Sequence, residues 1–200
     1  MLIAFEGLDQ SGKETQARQL RARLEKDGRK VHAASFPDYE TPIGQEIAKA
    51  LRGEREFTPD VIQLLYIANR FEYKPRFDRW LADRGVIVCD RYLASSIAYG
   101  EAQGLDAAWL EQIQRQLPSP MVTILLDISP ETAVSRKRAG RDRYERDLPL
   151  LGRVRESYRR QAQRPDWILI SGESSKDEVA AQVLQAVLPR LEPQSTRARS

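Results

Sequence analysis

The chain has one cysteine and one histidine in 200 residues. A lone thiol, Cys89, excludes an internal disulfide and a metal site built from several cysteines. It sits in the apolar run Val86-Ile87-Val88-Cys89, where a thiol reads as a small buried hydrophobe rather than a nucleophile. His32 follows the strand-like Val31 and has no second histidine with which to share a metal, so it reads as structural. No apolar stretch is long enough to span a membrane, and no charged-then-apolar leader opens the chain. The expectation is a cytoplasmic protein without a membrane partner. An excess of one charge is also missing. The 32 Lys and Arg are nearly matched by 29 Asp and Glu, so the net charge of +3 gives little support to a nucleic-acid partner, and none is expected. Internal repeats and low-complexity blocks are absent as well.

What is present is concentrated first in MLIAFEGLDQSGKET, residues 1 to 15. A short apolar run, Leu2 to Phe5, leads into Gly7 and Gly12, then Lys13, then helix-forming residues. Strand, glycine loop, lysine and helix together form the setting of a phosphate-binding loop. The glycines let successive N–H groups turn toward an anion, and the helix start adds the positive end of its dipole. Lys13 supplies a mobile charge for the outer phosphates. The spacing fits, but the hydroxyl residue expected after the lysine is replaced by Glu14, with Thr15 next. That departure puts the metal ligand in question rather than the loop.

Along the chain, strands are expected near residues 2, 31, 86, 121 and 167, alternating with helices. Ala17, Leu20 and Leu24 recur at helical spacing. Thr41-Pro42 opens a short helix to Leu51, and Thr58-Pro59 opens another with Thr58 as N-cap. Pro75 interrupts or kinks that second helix. Asp106 caps a helix carrying Leu110 and Ile113, and Ser175 to Glu178 reads as a capping box. Continuous apolar strands alternating with helices predict a three-layer α/β domain with a five-stranded, mostly parallel sheet. It spans residues 1–192, with an arginine-rich lid at about 136–147 and a polar, disordered tail at 193–200.

Ligands of such sheets sit at the carboxyl ends of the strands. The strand ends direct attention to Gly7–Lys13, Phe36–Tyr39, Asp90–Tyr92 and Asp127. Asp90 and Asp127 both end apolar strands and compete as the acid that holds Mg²⁺. Asp127 precedes Ser129-Pro130, which favours a helix-capping role for it. Arg91, at a strand tip, suits bidentate grip of a phosphate. The arginines between Arg136 and Arg146 fit either a solvated helix face or a lid that neutralises charge on transferring phosphates, with Gly140 a possible hinge. Tyr66 and Arg70 lie four apart and share a helix face, which suits a stacked base read at its edge.

At this point the residues resemble the thymidylate kinase family. The motifs are FEGLDQSGK at 5–13, FPDYETPIG at 36–44, DRYLASSIAY at 90–99, and the lid ending in DRYERD at 142–147. They occur in the family's order, and the resemblance covers about residues 1–190. It implies a P-loop kinase fold and an enzyme that phosphorylates dTMP with ATP and Mg²⁺, acting as a homodimer. It implies that Gly7, Leu8, Asp9, Gln10, Ser11, Gly12, Lys13, Glu14 and Thr15 cradle the ATP phosphates. Asp9 also approaches the sugar 3′-hydroxyl. Phe36, Pro37 and Tyr39 line the monophosphate site, with a cis peptide possible before Pro37. By the same resemblance Tyr66 stacks on thymine, Arg70 reads its edge and Arg91 grips the dTMP phosphate. Ser95 and Ser96 sit near base and phosphate, and Tyr99 crowds the 2′ position. The catalytic arginine of the lid is Arg136, Arg141 or Arg143, acting with Lys13 and Arg91. Thr15 or Asp90 holds Mg²⁺ in place of the missing hydroxyl. Two rivals remain: a kinase of another acceptor, with Glu6 as base, and a non-catalytic nucleotide-binding regulator.

Overall fold

A computed structural model describes residues 1–136 and 147–191. The sheet contains β1 (Leu2–Glu6), β2 (Val31–Ser35), β3 (Val86–Asp90), β4 (Val122–Asp127) and β5 (Trp167–Ser171). Its order is β2-β3-β1-β4-β5, and every pairing is parallel. The first strand is therefore central, with neighbours on both sides that come later in the chain. The chain's crossovers leave β1 in opposite directions, which opens a crevice at the carboxyl ends of β1, β3 and β4.

Nine helices are described: α1 (Lys13–Lys26), α2 (Pro42–Leu51), α3 (Pro59–Phe71), α4 (Lys74–Ala82), α5 (Leu93–Ala102), α6 (Ala107–Gln114), α7 (Pro130–Arg136), α8 (Leu148–Gln161) and α9 (Lys176–Leu191). Strand side chains alternate between two covered faces. Ile3, Phe5, Val88, Ile124 and Leu126 pack on Leu20 and Leu24 of α1 and on Val183 and Val187 of α9. Leu2, Ala4, Ile87 and Cys89 face the other way, onto Phe77 of α4 and Tyr92. Leu125 joins Ala98 of α5 and Val154 of α8. Burial on both faces explains why the strands read as unbroken apolar runs. Among the described residues no helix is long and apolar enough to cross a membrane.

Cys89 is fully buried, and burial pushes its thiol far above the ordinary range. His32 stacks on Trp80 at 4.5 Å between ring centres. Both are packing residues. Pro75 opens α4 rather than kinking α3, because α3 has already ended at Phe71. The capping box at Ser175 forms as expected: Glu178 N–H donates to Ser175 Oγ, and Ser175 N–H donates to Glu178 Oε2.

Two expectations need correction. Thr58 occupies the N-cap of α3, but its side chain accepts no helix N–H and instead bonds Asp60. Asp127 caps nothing. Ser129 Oγ takes the Thr132 N–H at the start of α7, while the buried Asp127 carboxylate accepts from Arg155 Nε at 2.7 Å and Nη2 at 2.9 Å. Arg159 also pairs with it at 3.2 Å. Asp127 thus pins α8 to the end of β4, and its oxygens are already occupied by guanidinium groups. The lid arginines Arg141 and Arg143, the proposed hinge Gly140 and the polar tail lie outside the described residues.

Candidate active site

The glycine loop joins β1 to α1, and its conformation depends on its sequence. Gly7 has φ +138, and a Cβ there would lie 2.4 Å from Leu126 O, so only glycine lets the loop press against β4. Gly12 has φ +95 and stands at the N-cap of α1, where it turns the chain so that the helix start faces the loop interior. Lys13 is buried, and its ammonium donates to Leu8 O at 2.7 Å. Burial first, and then the Arg91 charge, push Lys13 down to about 8; Asp9, Asp90 and Glu6 oppose the shift. A cation held this way lacks a full complement of counter-charge. An incoming phosphate would provide it.

Arg91 follows β3 with φ +62, a left-handed conformation that a non-glycine residue adopts at a cost. Its N–H donates to Phe5 O at 2.9 Å, which locks the strand tip against β1. The guanidinium then reaches Asp9 at 2.7 Å, Ser95 Oγ at 3.2 Å and the Tyr158 hydroxyl at 3.3 Å. Burial alone would raise the Asp9 carboxyl. The Arg91 and Lys13 charges and hydrogen bonds from Arg91 and Tyr99 outweigh it and hold Asp9 well below the usual carboxylate range. Tyr99 donates to Asp9 at 3.3 Å.

Two cavities meet at this pair. Asp9 and Arg91 line both. The first is lined by Tyr66 and Arg70 of α3 and Ser96 of α5. The walls carry Phe36, Pro37, Tyr39, Ser95 and Tyr99. All ten residues assigned to the acceptor by resemblance therefore line one cavity, although they come from four separate stretches of sequence. The Phe36–Pro37 peptide is cis. Arg70 is buried and donates from Nη1 to Ser96 Oγ at 2.7 Å, while its Nε has no partner. Burial lowers the Arg70 guanidinium from its ordinary value. Asp38 is turned away from any ligand role. Its carboxylate accepts from Tyr73 Oη at 2.6 Å and from Glu40 N–H at 3.0 Å. Burial, followed by Asp38, pushes the Tyr73 hydroxyl up to about 12.

The second cavity runs along Gln10 to Gln16 and is closed by Asp90, Arg136 and the turn from Gly172 to Lys176. Arg136 ends α7 and donates to Gln10 O at 3.1 Å and to Gly172 O at 2.9 Å. Of the three candidate lid arginines it is the one within the described residues, and it touches the glycine loop. Asp90 Oδ1 is buried and has no partner, and burial raises its carboxyl against the opposing charges of Lys13 and Arg91. Thr15 and the exposed Glu14 line the same space. Among the described residues no group of three acidic, histidine or cysteine side chains could enclose a metal. Asp90 and Thr15 both line this cavity without enclosing a metal.

Several residues around the site take parts there that the sequence did not assign to them. Glu6 is fully buried beneath the loop and accepts four bonds: Tyr92 N–H at 2.8 Å, Ser95 N–H at 3.3 Å, Ser95 Oγ at 2.6 Å and Tyr158 Oη at 3.1 Å. It does not line the acceptor cavity and offers no free carboxylate there. Tyr158 comes from α8, 152 positions away. Leu51 and Gln63 also line the acceptor cavity. Gln63 precedes Tyr66 by three and Arg70 by seven, so the helical period that links the latter two also points to it.

The family model for thymidylate kinase matches residues 5–183. Thymidylate kinase of Arabidopsis thaliana is 34% identical over 190 residues, covering 95% of this chain and 72% of that protein. The Schizosaccharomyces pombe enzyme of the same name is 32% identical over 191 residues, covering 93% and 90%. The solved structure of thymidylate kinase from Candida albicans superposes with a TM-score of 0.81 at 28% identity, covering 94% of this chain and 91% of that one.

Proposed function

This chain belongs to the thymidylate kinase family, and from that premise we propose that it transfers the γ-phosphoryl group of ATP to the 5′-phosphate of dTMP, giving ADP and dTDP. The observation that supports this most is the position of Arg91 and Asp9 between the two cavities. ATP lies along the glycine loop, with its phosphates among the loop N–H groups and against Lys13. Its nucleoside extends toward Arg136 and the turn at Ser174 to Lys176. dTMP lies in the other cavity, its base on Tyr66 and its phosphate against Arg91. The dianionic phosphate competes with Asp9 for the guanidinium, and the released Asp9 turns to the sugar 3′-hydroxyl.

Transfer is in line. An oxygen of the dTMP phosphate forms a bond to Pγ as the bond from Pγ to the β,γ-bridging oxygen breaks, and that oxygen leaves on ADP. No general base is required, because the accepting phosphate is already largely ionised near neutral pH. Lys13, Arg91 and Arg136 neutralise charge on the transferring group, and burial strengthens the effect of Lys13 and Arg91. Asp90, with its unpartnered oxygen, and Thr15 would hold Mg²⁺, which supplies charge neutralisation across the β- and γ-phosphates.

One assay tests the reading: ADP release with Mg²⁺ and ATP against dTMP, dUMP, UMP, CMP, dGMP and thymidine. The expected result is a kcat/KM for dTMP at least about 100-fold above UMP and thymidine. Preference for thymidine, or turnover of no acceptor, overturns the assignment. In the same assay Asp90→Asn and Thr15→Val should each raise the Mg²⁺ concentration needed for half-maximal rate. If neither does, the metal site is elsewhere.

The lowered Lys13 predicts proton uptake when ATP binds. Free Lys13, at about 8, is half neutral at pH 8, and triphosphate restores its charge. Calorimetry in buffers of different ionisation enthalpy should show uptake of about half a proton at pH 8, approaching about one near pH 9.5, and little at pH 6.5. Lys13→Met should abolish it. For stability the sign is opposite to that of a salt-bridged lysine. The unfolded chain holds the Lys13 proton up to about pH 10.4, so the burial penalty is complete below pH 8 and is relieved as pH rises through that window.

We also propose a homodimer. Val61 and Leu64 of α3 are exposed on the side of that helix away from buried Arg70, which suits an apolar contact with a second copy. Sedimentation should give a dimer that Leu64→Glu dissociates, and a monomer at all micromolar concentrations would remove the idea.

A further inference from the structure

Gln63 is the most poorly satisfied polar side chain near the acceptor cavity. It is 1% exposed, and neither Oε1 nor Nε2 has a hydrogen-bond partner. A buried amide without partners is unfavourable, so such a group survives where something outside the chain completes it. Its stem is fixed. A Cβ on Gly100 of α5 would approach Gln63 Cγ to 3.4 Å, so the absence of a side chain there leaves room for the Gln63 stem against the facing helix. Gln63, Tyr66 and Arg70 share one face of α3 and line one cavity.

A second unpartnered atom of the residues lining this cavity is Arg70 Nε, which can only donate. The two side chains together therefore offer a donor from Arg70 and an acceptor plus a donor from Gln63. The imide edge of a 5-methylpyrimidine presents the complement: carbonyl, ring N–H, carbonyl. We propose that Gln63 is a specificity-determining residue whose amide pairs with that edge, Oε1 accepting the ring N3–H and Nε2 donating to the adjacent carbonyl. This rests on the reading of the acceptor as dTMP. It adds a second reader beside Arg70, and among the described residues that line the cavity Gln63 Oε1 is the one buried side-chain acceptor left without a partner.

The test compares dTMP with N3-methyl-dTMP, which lacks the ring N–H, in wild type and Gln63→Met. Methionine keeps the length and removes both polar atoms. Wild type should use dTMP and reject the N3-methyl analogue by at least about 100-fold. In Gln63→Met the KM for dTMP should rise about 10- to 100-fold with the KM for ATP unchanged, and discrimination against the analogue should fall at least about tenfold. The unliganded variant should also melt higher by about 2–4 °C, because it no longer buries an unsatisfied amide. A purely structural glutamine would give a lower melting point and an unchanged preference between the two acceptors, and that result overturns the proposal. Gln63→Glu provides an independent reading, since it keeps the shape but turns a donor into an acceptor facing a carbonyl. Its KM for dTMP should rise at least about tenfold, and an unchanged value also overturns the proposal. If wild type does not phosphorylate dTMP, the functional reading itself fails. If it does, and the variants match it, only the role of Gln63 fails.

Discussion

Replacing Arg91 with methionine is expected to lower kcat/KM for dTMP by about three orders of magnitude or more, with a smaller effect on ATP binding. The side chain is largely buried and stands where both cavities meet, so its charge is poorly screened and faces both. Removing one fixed donor from a transition state costs about 100- to 1,000-fold, and an arginine acting on a transferring phosphoryl group is worth about 1,000-fold or more. Arg91→Lys should recover less than about a tenth of the loss, because an ammonium cannot reach Asp9, Ser95 and Tyr158 together or grip a phosphate with two parallel bonds. Steady-state kinetics with both substrates varied decides the point. A variant within tenfold of wild type on dTMP would place the acceptor phosphate elsewhere. The same substitution removes the larger of the two cationic charges that lower Asp9, leaving Lys13. Asp9 contributes stability that is complete above the unfolded carboxylate value of about 4 and is lost as pH falls below it. Asp9 keeps about a third of its side-chain surface exposed, so solvent weakens this contribution, and the acid arm of the melting curve should shift only modestly in Arg91→Met.

The parts of this fold that were legible in the sequence are those determined locally. Strands buried on both faces must be apolar throughout, so β1, β3 and β4 are visible as runs. The glycine loop is visible because Gly7 and Gly12 occupy backbone angles that other residues resist. Tyr66 and Arg70 are visible because helical spacing links them. What was hidden depends on partners far apart in sequence. Asp127 looks like a cap because Ser129-Pro130 follows it, yet its partners Arg155 and Arg159 arrive from α8. Thr58 occupies the cap position, but its hydroxyl bonds the nearer Asp60. The wall from Gly172 to Lys176 carries no nucleotide motif and becomes part of the site only because β5 lies beside β4. Gln63 had a usable signal in its spacing, but the significance of that signal depends on the absence of a partner, which only the three-dimensional arrangement reveals.

Glu6 shows how a buried group without direct substrate contact can hold such a site together, and its replacement carries the second large expected effect. Its carboxylate receives two backbone N–H groups at the tip of β3 and the start of α5, and two hydroxyls that themselves meet Arg91. Glu6→Leu leaves the Tyr92 and Ser95 N–H groups without their acceptor, leaves the Ser95 and Tyr158 hydroxyls only each other at 2.9 Å, and removes a negative charge from among buried cations. Breaking a buried charged network from one side costs about 3–5 kcal/mol, so the melting temperature should fall by roughly 10 °C. Glu6→Gln keeps the shape and one acceptor oxygen, so it should lose only about 1–2 kcal/mol and remain folded. The kinetics of that second variant separate two readings of the carboxylate. As a support for Ser95, Tyr158 and Arg91, its loss should reduce kcat/KM for dTMP by about tenfold, with the shape of the pH–rate profile unchanged. A general base would lose about 100- to 10,000-fold, and the limb of the profile that reports its ionisation would disappear. The geometry favours support. All four bonds to Glu6 come from groups that shape the acceptor site, and the acceptor cavity lies beyond them. A collapse of turnover in folded Glu6→Gln, with dTMP still bound, would instead revive a kinase whose acceptor is a hydroxyl.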